Sequence, residues 1–195
     1  VTLDFELLMN DVLFEMCRGR TQLCAPLYWN DRMLEGKLLF YDFPKLWVSS
    51  ILHATDHCNR FRNSTLVSVK RVENPVIYKR YFEAKERIIE QHHNARRSIP
   101  ALSPPVSTEL VVDRFVNEIY AWHGTTAHAV SQILNEGFDE RVAGITRNIY
   151  GSGNYFSSES CDAVQYGTAN TNGCITLLLC QVVLGEPVYL TETIS

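Results

Sequence analysis

No Cys-x-x-Cys pair occurs in this sequence. Its six cysteines (Cys17, Cys24, Cys58, Cys161, Cys174 and Cys180) are scattered through apolar segments. Such scatter suits reduced, buried thiols in a cytosolic or nuclear protein, while the even count leaves a secreted disulfide framework as the other option. An excess of basic residues is also missing. Lys and Arg number 18 against 22 Asp and Glu, giving a net charge of −4, so bulk electrostatics provide no nucleic-acid footprint. The longest apolar run, Leu177 to Leu184, is interrupted by Cys180 and Gln181 and is far too short to span a bilayer. There is no internal repeat. No stretch reads as a signal peptide, and Val1 in place of an initiator Met leads us to expect an excised domain.

What is present fits one domain. The chain has 195 residues, 46% of them apolar, enough for a core of its own. Phe5, Leu8, Met9, Val12, Leu13 and Met16 recur at helical spacing, with Asp4 and Glu6 in the first turn. This predicts an amphipathic helix within an N-terminal extension, residues 1–26, packed on the domain or set against a neighbour. Leu38 to Phe43 reads as a strand. Pro44 can open the next helix, whose buried face runs through Trp47, Ile51, Ala54, Cys58 and Phe61. His53 and His57 share a face beside Cys58, but no partner set with metal spacing follows. They read as solvated histidines, and no metal is expected.

Leu66 to Val72 is a strand, stopped by Asn74-Pro75. Pro75 starts a helix carrying Ile77, Tyr81, Ala84, Lys85 and Ile88 along one side. Lys79, Arg80, Lys85, Glu86 and Arg87 give it a charged, wet face. The Pro/Ser-rich stretch 98–107 is a surface loop. Val111 to Trp122 leads into a further strand. Cys174 to Leu184 is dense enough in Leu, Val and Ile for a central buried strand, and Val188 to Leu190 is expected to pair next.

The chain is organised around Trp122-His123-Gly124-Thr125-Thr126, answered by Tyr150-Gly151-Ser152-Gly153-Asn154-Tyr155-Phe156. His123 and Gly124 sit at a strand's lip, and Gly124, without a Cβ, allows close approach of another group to its backbone. Ala127, Val130, Ile133 and Leu134 then follow at helical spacing, and Gly137 is a natural stop. Residues 138–149 form a polar, irregular loop. Asn154 to Phe156 is strand-like, and Ser160 can cap a short helix that ends near Tyr166. Singly, Tyr155, Phe156 and Tyr166 read as core aromatics and His123 as a satisfied buried histidine. Together, with two glycines flanking Ser152, they read as a site.

His-Gly-Thr, then Gly-Phe-Asp, then Tyr-Gly-x-Gly-x-Tyr-Phe and a further Tyr resembles the catalytic domain of the poly(ADP-ribose) polymerase (PARP) family of diphtheria-toxin-like ADP-ribosyltransferases. The pattern is most similar to the mono-ADP-ribosyltransferase branch. Upstream, Leu27-Tyr28-Trp29, Cys58 with Phe61, Val69 to Pro75, Tyr81, Lys85 and Asn117-Glu118 are similar to the rest of that domain. The resemblance covers residues 27–195. It implies an α+β fold of split, mostly antiparallel sheets with flanking helices and an NAD+ cleft.

The resemblance also implies roles. His123 would bond the adenosine ribose 2′-hydroxyl, with Thr125 adding a hydroxyl contact. Gly124 would satisfy the nicotinamide carboxamide through its backbone. Tyr166 would stack on the nicotinamide, Tyr155 would close the other side, and the loop with Asp139, Arg141 and Asn148 would lie over the adenosine half. NAD+ would be the ADP-ribose donor, without a metal. The acceptors would be protein side chains, including the chain itself. A nucleic-acid acceptor has no support from charge, and no membrane role is implied.

Two departures stand out. The family's Ser eight residues after the second-motif Tyr is Ala163 here, a loss of about 0.5–1.5 kcal/mol in donor binding. The strand bearing the family's third catalytic position is expected beyond Ser195, so neither Glu186 nor Glu192 takes that role and mono- against poly-transfer is not readable. Two other readings compete with a working transferase. One is a degenerate module that binds NAD+, ADP-ribose or partners without turnover. The other is a bacterial-toxin-like transferase, against which the Val-Glu-Asn-Pro segment argues.

Overall fold

The computed structural model describes residues 38–139 and 150–190, together with the backbone of 2–7. Six strands form one sheet in the order β2-β3-β1-β6-β5-β4. They are β1 (Thr2–Leu7), β2 (Leu39–Asp42), β3 (Thr65–Glu73), β4 (Val111–Asp113), β5 (Glu118–Gly124) and β6 (Cys174–Val183). Among the described residues, four α-helices accompany them: α1 (Lys45–Ala54), α2 (Pro75–Asn94), α3 (Ala127–Glu136) and the single turn α4 (Ser160–Ala163). The class is α+β. Two antiparallel units, β2–β3 and β6–β5–β4, are the halves expected of a split sheet. They are joined by β1, which runs parallel to both β3 and β6.

The helix expected from Phe5 onward is therefore not how residues 2–7 fold. Leu3, Phe5 and Leu7 also satisfy a period of two, and a slot between two strands offers the backbone partners on both sides. The rest of that helix, like Leu27 to Trp29, Cys17 and Cys24, lies outside the described residues.

Strand β6 has the buried, nearly continuous apolar sequence of a strand covered on both faces. Leu177 and Leu179 join Val48, Ile51 and Leu52 of α1, with Val69, Tyr120, Trp122 and Ala163, in one layer. Leu178 and Cys180 join Val130 and Leu134 of α3, with Val72, in the other. Helix α1 ends sooner than its apolar spacing suggested. Thr55 caps it, Ala54 and Cys58 are exposed, and Phe61 reaches the core from an irregular segment. Asn74 caps α2 by accepting from the N–H groups of Val76 and Ile77, while its amide donates to the Leu134 carbonyl at 2.8 Å. That bond ties α2 to the end of α3.

Residues 111–122 form a hairpin rather than one approach strand. Asn117 turns the chain at φ 51°, with its amide donating to the carbonyls of Pro100 and Gly185. Lys85, expected on a wet face, is buried and ion-paired with Glu118 at 2.6 Å and Asp113 at 3.2 Å. Glu118 also accepts from Gln181 Nε2 at 2.6 Å and from the Tyr81 hydroxyl. Burial, then the Glu118 carboxylate, pushes the Tyr81 phenol far above its ordinary value, so it is a donor throughout. Val188 to Leu190 form no strand. No helix among the described residues is long and apolar enough to cross a membrane.

Candidate active site

Strand β5 divides its side chains between the two layers. Trp122 is fully buried on the α1 side, and its Nε1–H donates to Thr55 Oγ1 at 3.0 Å. Thr55 in turn donates to the Ile51 carbonyl at 2.8 Å. Ser160 was expected to cap α4. It is instead the first residue of that helix, and its hydroxyl donates to the Leu52 carbonyl at 2.9 Å. Its backbone N–H donates to the Thr55 carbonyl at 3.0 Å. The end of α1, the start of α4 and the middle of β5 are thus one hydrogen-bonded unit.

His123 is on the opposite face. Its ring meets Phe138 edge-on at 4.9 Å and Phe156 at 5.5 Å, and those two phenylalanines meet each other at 4.9 Å. Its Nδ1 lies 2.8 Å from the backbone carbonyl oxygen of Tyr155. A carbonyl can only accept, so Nδ1 carries the proton and Nε2 is the lone-pair nitrogen. Burial pushes the His123 pKa below its ordinary value, and the Tyr155 carbonyl pulls it partly back. The neutral ring is the favoured form.

The segment that supplies this carbonyl is not a strand. Asn154 to Phe156 are irregular, and one antiparallel bridge follows them, where Trp122 and Ser157 exchange hydrogen bonds of 2.7 and 2.9 Å. The glycines around Ser152 let the chain turn tightly enough for this, Gly151 at φ 93°. The Tyr155 hydroxyl closes the turn by donating to the Gly151 carbonyl at 2.6 Å and accepting from the Tyr150 N–H at 3.1 Å. Its ring remains exposed, as does that of Tyr166, which stands on a 3-10 turn immediately after α4.

Gly124 has a packing reason to be glycine. A Cβ there would lie 1.8 Å from the Ala163 carbonyl oxygen. Ala163 itself is buried in the α1-side layer. The Thr125 carbonyl accepts from the Thr168 N–H at 3.4 Å, and Thr126 caps α3 through its hydroxyl. His123, Gly124 and Thr125 at the end of β5, Tyr155 in the bridging turn and Ala163 beneath Gly124 are therefore brought together. Of the expected lid, Asp139 is described, while Arg141 and Asn148 lie outside the described residues.

Sequence spacing missed the Tyr155 carbonyl, the Trp122–Thr55–Ser160 tie and the place of Phe138 against the histidine. Only Phe138 had a visible signal, as part of Gly-Phe-Asp. The others are backbone contacts or contacts between residues far apart in the sequence.

Residues 47–194 match the family model described as the poly(ADP-ribose) polymerase catalytic domain. The chain belongs to the PARP catalytic domain family. Among curated proteins, this PARP domain is 35% identical over 71 residues to protein mono-ADP-ribosyltransferase PARP12 of Homo sapiens, covering 36% of the chain and 10% of that protein. It is 30% identical over 115 residues to poly [ADP-ribose] polymerase tankyrase of Caenorhabditis elegans, covering 53% of the chain and 5% of that protein. With protein mono-ADP-ribosyltransferase PARP10 of Mus musculus it shares 26% identity over 123 residues, 62% of the chain and 11% of that protein. The chain thus spans about a tenth or less of the length of these relatives.

Proposed function

We propose that this PARP domain is an NAD+-dependent mono-ADP-ribosyltransferase that moves ADP-ribose to a protein side chain and releases nicotinamide. The observation that carries the reading is the neutral histidine of fixed tautomer at the end of β5. A lone pair on Nε2 can accept from a ribose hydroxyl, which an imidazolium cannot do.

Beside it, Gly124 offers one backbone N–H and one carbonyl, the complement of a primary amide. The exposed rings of Tyr155 and Tyr166 offer flat apolar faces to a nicotinamide. Breaking the bond between ribose C1′ and the nicotinamide nitrogen leaves the electron pair on nicotinamide and positive charge on the ribose. The residues act by binding and orienting the donor so that this charge develops where it is stabilised. A carboxylate or thiolate acceptor then bonds to C1′, and one unit is transferred.

A second reading is a binding module without turnover, and it has one specific observation. Ala163, in place of the family's Ser, is buried among apolar side chains and brings no hydroxyl to a carboxamide. The deciding measurement is nicotinamide release from NAD+, with His123→Ala and Tyr155→Ala alongside. Release by the wild type and silence of both variants supports the transferase. A folded wild type that binds NAD+ yet releases no nicotinamide supports the module.

A further inference from the structure

Behind the site, two cysteines from distant parts of the sequence meet. Cys58 stands in the irregular segment after α1, and Cys161 is the second residue of α4. Their sulfurs are 2.9 Å apart. Both are free thiols. Cys58 is an exposed residue and Cys161 a buried one. The backbones on both sides are already fixed, because Thr55 and Ser160 hold the end of α1 to the start of α4. His57 and Glu159 pair across the same junction at 3.0 Å. A covalent link between the sulfurs needs them to close to about 2.05 Å. That movement is small beside the freedom of the two χ1 torsions.

We infer that Cys58 and Cys161 are an oxidisable dithiol, a modification site for a hydroperoxide that closes into an intramolecular disulfide in the folded chain. The order of events follows from exposure. The thiolate is the nucleophile towards peroxide, and only Cys58 is accessible. Cys58 attacks the peroxide O–O bond and becomes a sulfenic acid, with water (or an alcohol) leaving. The Cys161 thiol then attacks the Cys58 sulfur, the S–S bond forms, and the hydroxyl departs as a second water with the thiol proton. Two thiols lose two electrons and two protons, and the peroxide is reduced by the same two electrons. Burial of Cys161, which also pushes its thiol up, keeps it from reacting directly with peroxide.

The link would join segments 103 residues apart in sequence. It would also fix the base of α4, two residues before the Ala163 carbonyl that packs on Gly124. The inference rests on the junction and not on the transferase reading.

The competing chemistry is a metal. Cys58, Cys161 and Asp162 present donor atoms within 4.8 Å of one another, a set that zinc can take with water. The S···S approach of 2.9 Å favours the disulfide, because two thiolates on one tetrahedral zinc, each about 2.3 Å from it, stand well farther apart.

The test is a titration of the folded, reduced chain with hydrogen peroxide, quenched by alkylation in denaturant and read by intact mass and peptide mapping. The expected result is a mass loss of about 2 Da with two fewer alkylated cysteines among the six, reversed by dithiothreitol. The linked peptides should carry Cys58 and Cys161. Cys58→Ser, at an exposed position, should abolish the link and leave Cys161 alkylatable only on unfolding. The proposal is overturned if Cys58 runs on to the sulfinic acid while Cys161 stays reduced, or if the link forms only in urea. It is also overturned if the reduced chain takes up one Zn2+ that resists peroxide and is lost in Cys58→Ser and Asp162→Asn. The mapping needs no buried substitution, so a Cys161 variant that fails to fold does not affect the outcome.

Discussion

His123 is held by Tyr155 through an atom that a side-chain substitution does not remove, the backbone carbonyl oxygen, 2.8 Å from Nδ1. The ring is thereby kept in one tautomer whatever side chain stands at position 155. His123→Ala and Tyr155→Phe should consequently lose activity for different reasons. His123→Ala removes the donor's hydroxyl partner and should lower kcat/KM for nicotinamide release by about 10- to 100-fold, the equivalent of roughly 1.5–3 kcal/mol. Tyr155→Phe keeps both the carbonyl and the ring. It loses only the hydroxyl that closes the turn onto Gly151 and Tyr150, and should cost about 0.5–1.5 kcal/mol, seen mainly as a raised KM for NAD+. Steady-state kinetics on both variants separate the two roles. Equal loss of kcat in Tyr155→Phe would put the hydroxyl itself in the chemistry.

The same half-buried histidine gives a pH dependence of stability. Burial lowers its folded-state pKa, while in the unfolded chain it protonates near about 6.5. Between those two values the unfolded state binds more protons than the folded one. Stability therefore falls as the pH drops from about 6.5 through the folded pKa, and the penalty is complete below it. Urea unfolding followed across that window should show the slope, and His123→Gln should flatten it. Nicotinamide release should fall over the same window, because the protonated ring offers no lone pair. A rate that is flat while stability changes would separate the histidine from donor binding.

Gly124 and Gly153 look alike in sequence and differ in space. A methyl at Gly124 would meet the Ala163 carbonyl oxygen at 1.8 Å, a backbone atom with no flexible side chain to give way. Gly124→Ala should destabilise the domain by about 1–3 kcal/mol or more and distort the end of β5. Nothing lies within 4 Å of a Cβ at Gly153, and Gly153→Ala should change the urea midpoint little. Equal midpoints for the two variants would contradict the close approach of α4 to β5.

These contrasts show what was legible in the sequence. The order of motifs placed His123, Gly124 and Thr125 at a strand end and Tyr155 beside them, because glycine spacing and apolar periodicity record local backbone needs. The density of Leu and Val in Cys174 to Val183 likewise recorded a strand covered on both faces. What spacing does not record is choice among partners. Thr2 to Leu7 satisfies both a helical and a strand period, and only the slot between β3 and β6 decides. Lys85 reads as one more cation on a charged helix until Glu118 is seen beneath it. Ser160 reads as a cap because nothing local reveals the Leu52 carbonyl, 108 residues away, that takes its hydroxyl.

Thr55 offers a test of the junction beneath the site. It is buried, and its hydroxyl both accepts from Trp122 Nε1 and donates to Ile51. Thr55→Val keeps the shape and leaves the buried indole without that acceptor. The expected loss is about 1–3 kcal/mol in urea or thermal unfolding. Thr55→Ser keeps the hydroxyl and should lose less. If serine costs more than valine, packing of the lost methyl and not the hydrogen bond dominates at this position.

The buried Lys85 and Glu118, with the half-buried Asp113, give the largest expected effect, and its size depends on which partner is removed. Lys85→Met removes the cation and leaves two carboxylates facing each other across an emptied site, so about 3–5 kcal/mol should be lost. Glu118→Gln retains an acceptor for Tyr81 and Gln181 and leaves Asp113 to neutralise Lys85, so its cost should be clearly smaller. In the double variant, Lys85→Met with Glu118→Gln, the uncompensated carboxylate at Glu118 is gone, and the loss should fall below the sum of the two single losses. Urea denaturation of the four proteins gives the cycle. Strict additivity would mean that Lys85 is held by Asp113 alone, with Glu118 serving only the hydrogen bonds to Tyr81 and Gln181.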